Sequence, residues 1–302
     1  MDTYSMSQVE VLTGISAHKL RIWERRYGFM NAMRTKTNIR FYTDQQLKKL
    51  LNVGILSRNG IRISKIAQMS DAEIHQNVSN ILSNNNSEHQ DEINALIIQM
   101  MEFNEQEFQI IFQRCIIRKG FLVTILEVIY PFLNQIGIIW GINKLIAIQE
   151  HFISNLIRQK IITAIDNLPL PQEDAPSIAL FLLDNEDHEL GLLLSYYIAK
   201  SSGWQVYYLG NRVPLQEVGI IREKIKPDLM LTLLILPKNA VETEKTLRTF
   251  QSNRNIPILI SGGSFTEELS NKCDHCIHMK NPHDLINYLD NRMIELNGSV
   301  SA

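Results

Sequence analysis

A histidine at position 188, with a carboxylate two residues before it (Glu186) and a glycine three residues after it (Gly191), is a set that can hold a metal. Imidazole is a common metal ligand, and a carboxylate on the other ring nitrogen fixes the tautomer a metal needs. The glycine leaves room for a bulky group to approach the backbone. Thr232-x-Leu234, inside an apolar run, and Gly262-Gly263, at the end of another, add a hydroxyl and a second place where absent side chains would admit a ligand. Trp140 is followed, after nine intervening residues, by Glu150-His151, which by pattern alone belongs to a packing helix. Cys273-x-His275-Cys276, with His278, resembles half a zinc site, but a structural site usually takes two separated pairs. The alternation there also suits a short strand. With Cys115, the three cysteines are too few and too irregular for a disulfide framework, and a reducing compartment fits.

Near the N-terminus the chemistry is charge. Residues 1–75 hold 12 basic and 6 acidic residues, a net +6, whereas the remainder carries −8 and the whole chain −2. That asymmetry is expected when one domain meets an acidic polymer and the others do something else.

The elements that must position these groups fall into three blocks. SNNNSEH at 83–89 and the proline-rich LPLPQEDAP at 168–176 divide the 302 residues into 1–75, 91–167 and 177–290. In the first block, Ser7 to Leu12 forms a short helix ended by Thr13-Gly14, and Ser16 caps a second helix that ends at Gly28. Leu20 and Trp23 share its inner face, and His18, Lys19, Arg21 and Arg25 point outward. Helix, turn and cationic helix form the helix-turn-helix pattern, whose second helix enters the major groove. The segment 34–42 alternates like a hairpin, so that Arg34, Lys36, Arg40 and Tyr42 reach phosphates as a wing. Thr43 caps a third helix to about Leu56, and a fourth opens at Ile61–Met69. The middle block has helical periodicity interrupted at Pro131, Gly137 and Gly141, with a last helix over about 144–164, and reads as a four-helix bundle. The third alternates helices with strands at 177–183, 205–209, 228–236, 256–261 and 275–279. That is an α/β, flavodoxin-like (Rossmann-like) parallel sheet, with ligands bound beyond the carboxyl ends of its strands. No apolar stretch reaches the ~18–20 residues needed to cross a bilayer, and the N-terminus lacks a secretory pattern, so the cytoplasm is the expected location.

LTGISAHKLRIWERRYG followed by RTKTNIRFYT resembles the DNA-binding head of the MerR family of transcriptional regulators, over about residues 4–72. Glu186-x-His188-x-x-Gly191, Thr232-x-Leu234 and Gly262-Gly263 resemble the cobalamin-binding domain family. The Trp140 to Glu150-His151 spacing is similar to that in the bundle of cobalamin-dependent MerR-type regulators, the CarH-like and LitR-like photoreceptors. The resemblance implies that His188 is the lower axial ligand of cobalt, that Glu186 orients it, and that Thr232 bonds in the pocket of the nucleotide tail. It also implies that Trp140 and Glu150 contact the 5′-deoxyadenosyl group, with His151 beside them. The implied protein binds adenosylcobalamin and double-stranded operator DNA as a homo-oligomer, dimer or tetramer, and comes apart when light cleaves the cobalt–carbon bond. It turns over no substrate and is not an enzyme. One position departs from the pattern. Light-sensing members carry a second histidine directly after the tryptophan, and here that residue is Gly141, which keeps open a regulator with weakened cobalamin binding and another ligand or protein partner. A corrinoid carrier for a methyltransferase or mutase is the alternative of another class, and the basic head argues against it.

Overall fold

Ser5, Ser16 and Thr43 each turn a side-chain oxygen onto a backbone N–H three residues on, and each begins a helix. These set the frame of the head in the computed structural model, which describes residues 3–28, 31–83, 89–140, 147–184, 186–235, 240–252, 256–263 and 265–300. Strand β1 (Thr3–Ser5) leads into α1 (Met6–Thr13), and α2 (Ala17–Tyr27) follows. Gly14 and Gly28 close the two helices in the left-handed conformation, φ 68° and 62°, where a side chain is disfavoured. The wing is β2 (Met33–Arg34) and β3 (Arg40–Thr43), and β1 pairs with the far edge of β3 to give an antiparallel order β1-β3-β2. Then come α3 (Asp44–Arg58), a single turn α4 (Ile63–Ile66) in place of the longer fourth helix expected, and α5 (Asp71–Ser83).

The bundle consists of α6 (His89–Met101), α7 (Glu105–Lys119), a continuous helical run and α10 (Ala147–Asp166). The run comprises α8 (Phe121–Thr124), a π-helical turn (Ile125–Ile129) and α9 (Tyr130–Trp140). Pro131 and Gly137 therefore lie inside a helix, contrary to the expected interruptions. Pro131 is the second residue of α9, one residue past the π turn, where the hydrogen-bond ladder has shifted and can spare its N–H. Gly141 lies outside the described residues.

The chain forms two compact units, Met1–Leu156 and Ile157–Ala302. In the first, α3 is buried on every side over residues 50–56, with Leu47, Leu50, Leu51, Val53, Ile55 and Leu56 fully buried. A helix buried on every side needs neighbours on every side, and α3 packs on α1 and α5 of the head and on α6 of the bundle.

The second unit is a parallel sheet of β4 (Ser177–Leu183), β5 (Gln205–Val213), β6 (Leu229–Leu234), β7 (Ile258–Gly262) and β8 (Cys276–His278), in the order β5-β4-β6-β7-β8. Helices α11 (Glu189–Ser201), α12 (Val218–Lys224), α13 (Ala240–Gln251), α14 (Phe265–Asn271) and α15 (Pro282–Val300) connect and cover it. The near-continuous apolar runs of β4 and β6 follow from burial on both faces. This is the flavodoxin-like order read from the strand–helix alternation.

Cys273 and Cys276 are joined by a disulfide. Three cysteines are too few and too irregular for a framework of disulfides, and this one closes a loop of sequence separation 3. His275 Nε2 donates to the Phe250 carbonyl at 2.7 Å and its Nδ1 lies 3.7 Å from Cys273 Sγ, but two sulfurs bonded to each other are not the thiolates a metal takes. Cys115 is buried, and burial pushes its thiol up to about 11, so it stays neutral.

Candidate functional site

His188 occupies the N-cap of α11, five residues beyond the end of β4, at the carboxyl edge of the sheet. Its side chain is 47% exposed, whereas that of Glu186 is 3% exposed. Glu186 Oε1 accepts a hydrogen bond from His188 Nδ1. The other carboxylate oxygen accepts from the backbone N–H of Ile235, just past β6, at 2.8 Å. A buried carboxylate is tolerated when both oxygens have donors. With Nδ1 turned to the protein, Nε2 is the nitrogen a metal would take, which is the carboxylate–histidine–metal arrangement.

Thr232 lies two strand positions deeper, paired with Phe181 on β4 and Ile260 on β7. It is fully buried, and its Oγ1 has no hydrogen-bond partner among the described residues. A buried hydroxyl left unpaired inside the protein is costly and calls for an external partner, so the donor set fits a ligand with a polar tail as well as an axial metal.

A Cβ on Gly191 would come within 2.6 Å of Leu233 Cδ1, and one on Gly262 (φ 139°) within 2.2 Å of the Leu234 carbonyl oxygen. On Gly263 it would meet the Phe265 ring at 2.9 Å. Their missing side chains let the ends of β6, β7 and α11 approach one another, so here the close approach is of protein to protein.

Two groups beside His188 carried no signal in the sequence. Arg212, at the end of β5, holds Asp187 through two hydrogen bonds of 2.8 and 2.9 Å, and this keeps the Asp187 carboxyl below its usual range. The Tyr208 hydroxyl bonds Glu189 at 3.2 Å, and burial pushes its phenol upward. Each partner lies some 20 residues from the other in sequence, and no spacing rule joins them.

In the first unit, Glu150 accepts from Ser154 Oγ at 2.6 Å and lies 3.2 Å from His151 Nδ1, with the His151 side chain 75% exposed. Trp140 ends α9, and its side chain lies outside what is described.

On the head, His18, Lys19, Arg21 and Arg25 are exposed on α2, and Arg34 and Lys36 are exposed on the wing. Arg40 is half-buried and paired with Glu24 of α2 at 2.9 Å, which fastens the wing to the recognition helix. Tyr42 was expected at phosphates. It is 2% exposed, and its hydroxyl faces Met6 Sδ at 3.6 Å, so it is a core residue of the head. Arg40 and Tyr42, two residues apart on β3, share a face, and that face is turned to Glu24 and the core rather than to phosphates. Replacing Arg21 by Ala should therefore weaken operator binding and reduce the salt slope by about 1, and Tyr42→Phe should leave both unchanged. Titrations against operator DNA at several salt concentrations measure this.

A buried acidic pair at the start of α6 also escaped sequence reading. Asp91 accepts from Arg58 Nε at 2.8 Å and Asn59 Nδ2 at 2.6 Å, both at the end of α3. Arg58 also donates to the carbonyl of Thr13, at the turn before the recognition helix, at 3.2 Å. Next to it, Glu92 is held by Arg118 and Lys119 of α7.

Comparison with known proteins agrees with both halves of this arrangement. Residues 4–73 match the family described as MerR HTH family regulatory protein, and residues 92–164, the helical bundle, match B12 binding domain. The HTH-type transcriptional repressor CarH of Myxococcus xanthus is 25% identical over 271 residues, covering 87% of this chain and 89% of that protein. The repressor CarA of the same organism is 24% identical, covering 88% and 89%. Among solved structures, the monomethylamine corrinoid protein of Methanosarcina barkeri aligns with a TM-score of 0.54 at 12% identity, covering 68% of this chain and all of that one, a likeness of fold. The chain is thus a MerR-type helix-turn-helix protein with a B12-binding domain, homologous to the CarH and CarA repressors.

Proposed function

We propose that this chain is a cobalamin-dependent transcriptional regulator, not an enzyme, that binds adenosylcobalamin through His188 and operator DNA through α2 and the wing. The observation that carries the reading is the Glu186–His188 pair at the carboxyl edge of the sheet, in a chain homologous to two repressors. His188 would hold cobalt through Nε2, Glu186 would keep that nitrogen deprotonated, and the unpaired Thr232 hydroxyl would bond the tail. Trp140, Glu150 and His151 are proposed as contacts of the upper ligand. Adenosylcobalamin, when bound, would supply a light-sensitive cobalt–carbon bond, and the response to light is part of the proposal.

Binding to operator repeats by several linked heads would raise affinity by roughly 10²–10⁴ without new contacts, which is the use of a homo-oligomer. The place of action is the cytoplasm, where the DNA is. Among the described residues no helix is long and apolar enough to cross a membrane.

One residue favours the second reading, a regulator with weakened cobalamin binding and another ligand or protein partner: Gly141, where the resemblance implies a histidine. Visible spectra and gel filtration of the full chain mixed with adenosylcobalamin, in the dark and after illumination, separate the two. Retained colour in the dark and a change of size on illumination are expected. A colourless protein after desalting would favour the second reading, and retained colour with unchanged size would remove the light response.

A further inference from the structure

We propose that Arg212 is a positioning residue for the axial histidine, acting through Asp187, so that the 186–188 segment is fixed from two sides. This rests on the reading of His188 as the cobalt ligand. Strand β5 departs from regular pairing only as it nears this segment. Ser177 to Leu180 of β4 pair residue by residue with Gln205 to Tyr208, and then the register shifts twice, so that Phe181 faces Gly210 and Leu183 faces Val213. The two shifts accompany two left-handed residues, Gly210 at φ 75° and Arg212 at φ 60°. Glycine accepts that conformation freely, but arginine does not, and a disfavoured backbone persists where the surroundings over-determine it.

The bent end of β5 brings the Arg212 guanidinium onto both Asp187 oxygens. The guanidinium fork fixes a carboxylate in orientation as well as distance. Asp187 sits between Glu186, tied by Ile235 N–H, and His188, tied by Glu186. One clamp therefore acts on the buried carboxylate and the other on the exposed one, and the imidazole is carried between them. The Arg212 and Asp187 side chains are 69% and 57% exposed, so the pair adds little to stability, and its effect is on geometry.

The test uses the full chain labelled with ¹⁵N-histidine, loaded with cob(II)alamin and read by electron paramagnetic resonance, where a ¹⁵N doublet on the cobalt lines reports histidine coordination. Arg212→Ala and Arg212→Gly should both lower the histidine-coordinated fraction and weaken cobalamin retention about two- to fivefold, the range of an exposed ion pair. The glycine variant relieves the left-handed backbone while deleting the guanidinium, so it separates the side chain from strain. Arg212→Lys keeps the charge without the fork and should fall between. If both deletions keep the wild-type doublet fraction and release rate, Arg212 does not position His188. A wild-type spectrum without the doublet would instead overturn the reading of His188 itself.

Discussion

Glu186→Gln should impair cobalamin binding almost as severely as His188→Ala, although glutamine matches glutamate in size. The carboxylate takes two donors, His188 Nδ1 and the Ile235 N–H. An amide has only one acceptor oxygen. If that oxygen serves Ile235, the amide NH₂ faces Nδ1, the imidazole must accept there, and its proton moves to Nε2, where it blocks coordination. If the oxygen serves Nδ1, the amide NH₂ meets the N–H of Ile235 inside a buried site and the segment must open. Loss of a partner that orients a metal ligand costs about 10–100-fold in affinity, and loss of the ligand itself at least as much. Absorbance titration with hydroxocobalamin measures both variants. Wild-type affinity in the Glu186→Gln variant would show that Glu186 does not set the tautomer.

The sequence made this pair visible because its two members stand two residues apart on one loop, and the strands on either side are continuous apolar runs bounded by polar residues. The head was legible for a similar reason: its caps, turn glycines and outward cations are local. What stayed hidden depends on distant partners. Tyr42 shares a strand face with Arg40 and reads as a wing residue until β1, a three-residue strand with no pattern of its own, pairs beside it and buries it. Gly191 and Gly262 marked close approach correctly, but not which atoms approach, because Leu233 and the Leu234 carbonyl reach them from another strand. Arg212 lies 25 residues from the carboxylate it clamps, and its left-handed backbone has no signature in residue type.

The buried pair Asp91–Glu92 is the furthest from sequence reading, since acidic residues at a helix start are usually an exposed complement to the helix dipole. Here both are enclosed, at 0% and 1% exposure. Asp91→Ala should destabilise the first unit by about 3–5 kcal/mol, the cost of leaving a buried charge without its partner. The orphan would be Arg58, which already has one buried nitrogen unpaired among the described residues and whose other contact is the Thr13 carbonyl. Replacing both partners, as in Arg58→Met with Asp91→Leu, removes the charges together and should recover most of that loss. Chemical denaturation of the wild type, Arg58→Met, Asp91→Leu and the double variant gives the cycle, with Asp91→Ala measured beside them. The change should also reach the operator. Gly54 has Thr13 and Asn94 within 3.2 Å of a hypothetical Cβ, so α1, α3 and α6 meet at one place without slack. Opening that place frees the turn that aims α2. The single variant should therefore bind operator DNA more weakly while the Glu186–His188 pair is untouched, because His188 and its partners belong to the other unit. A loss below about 1 kcal/mol would place the pair among exposed ion pairs in effect, and the head would then be held by the apolar faces of α3 alone.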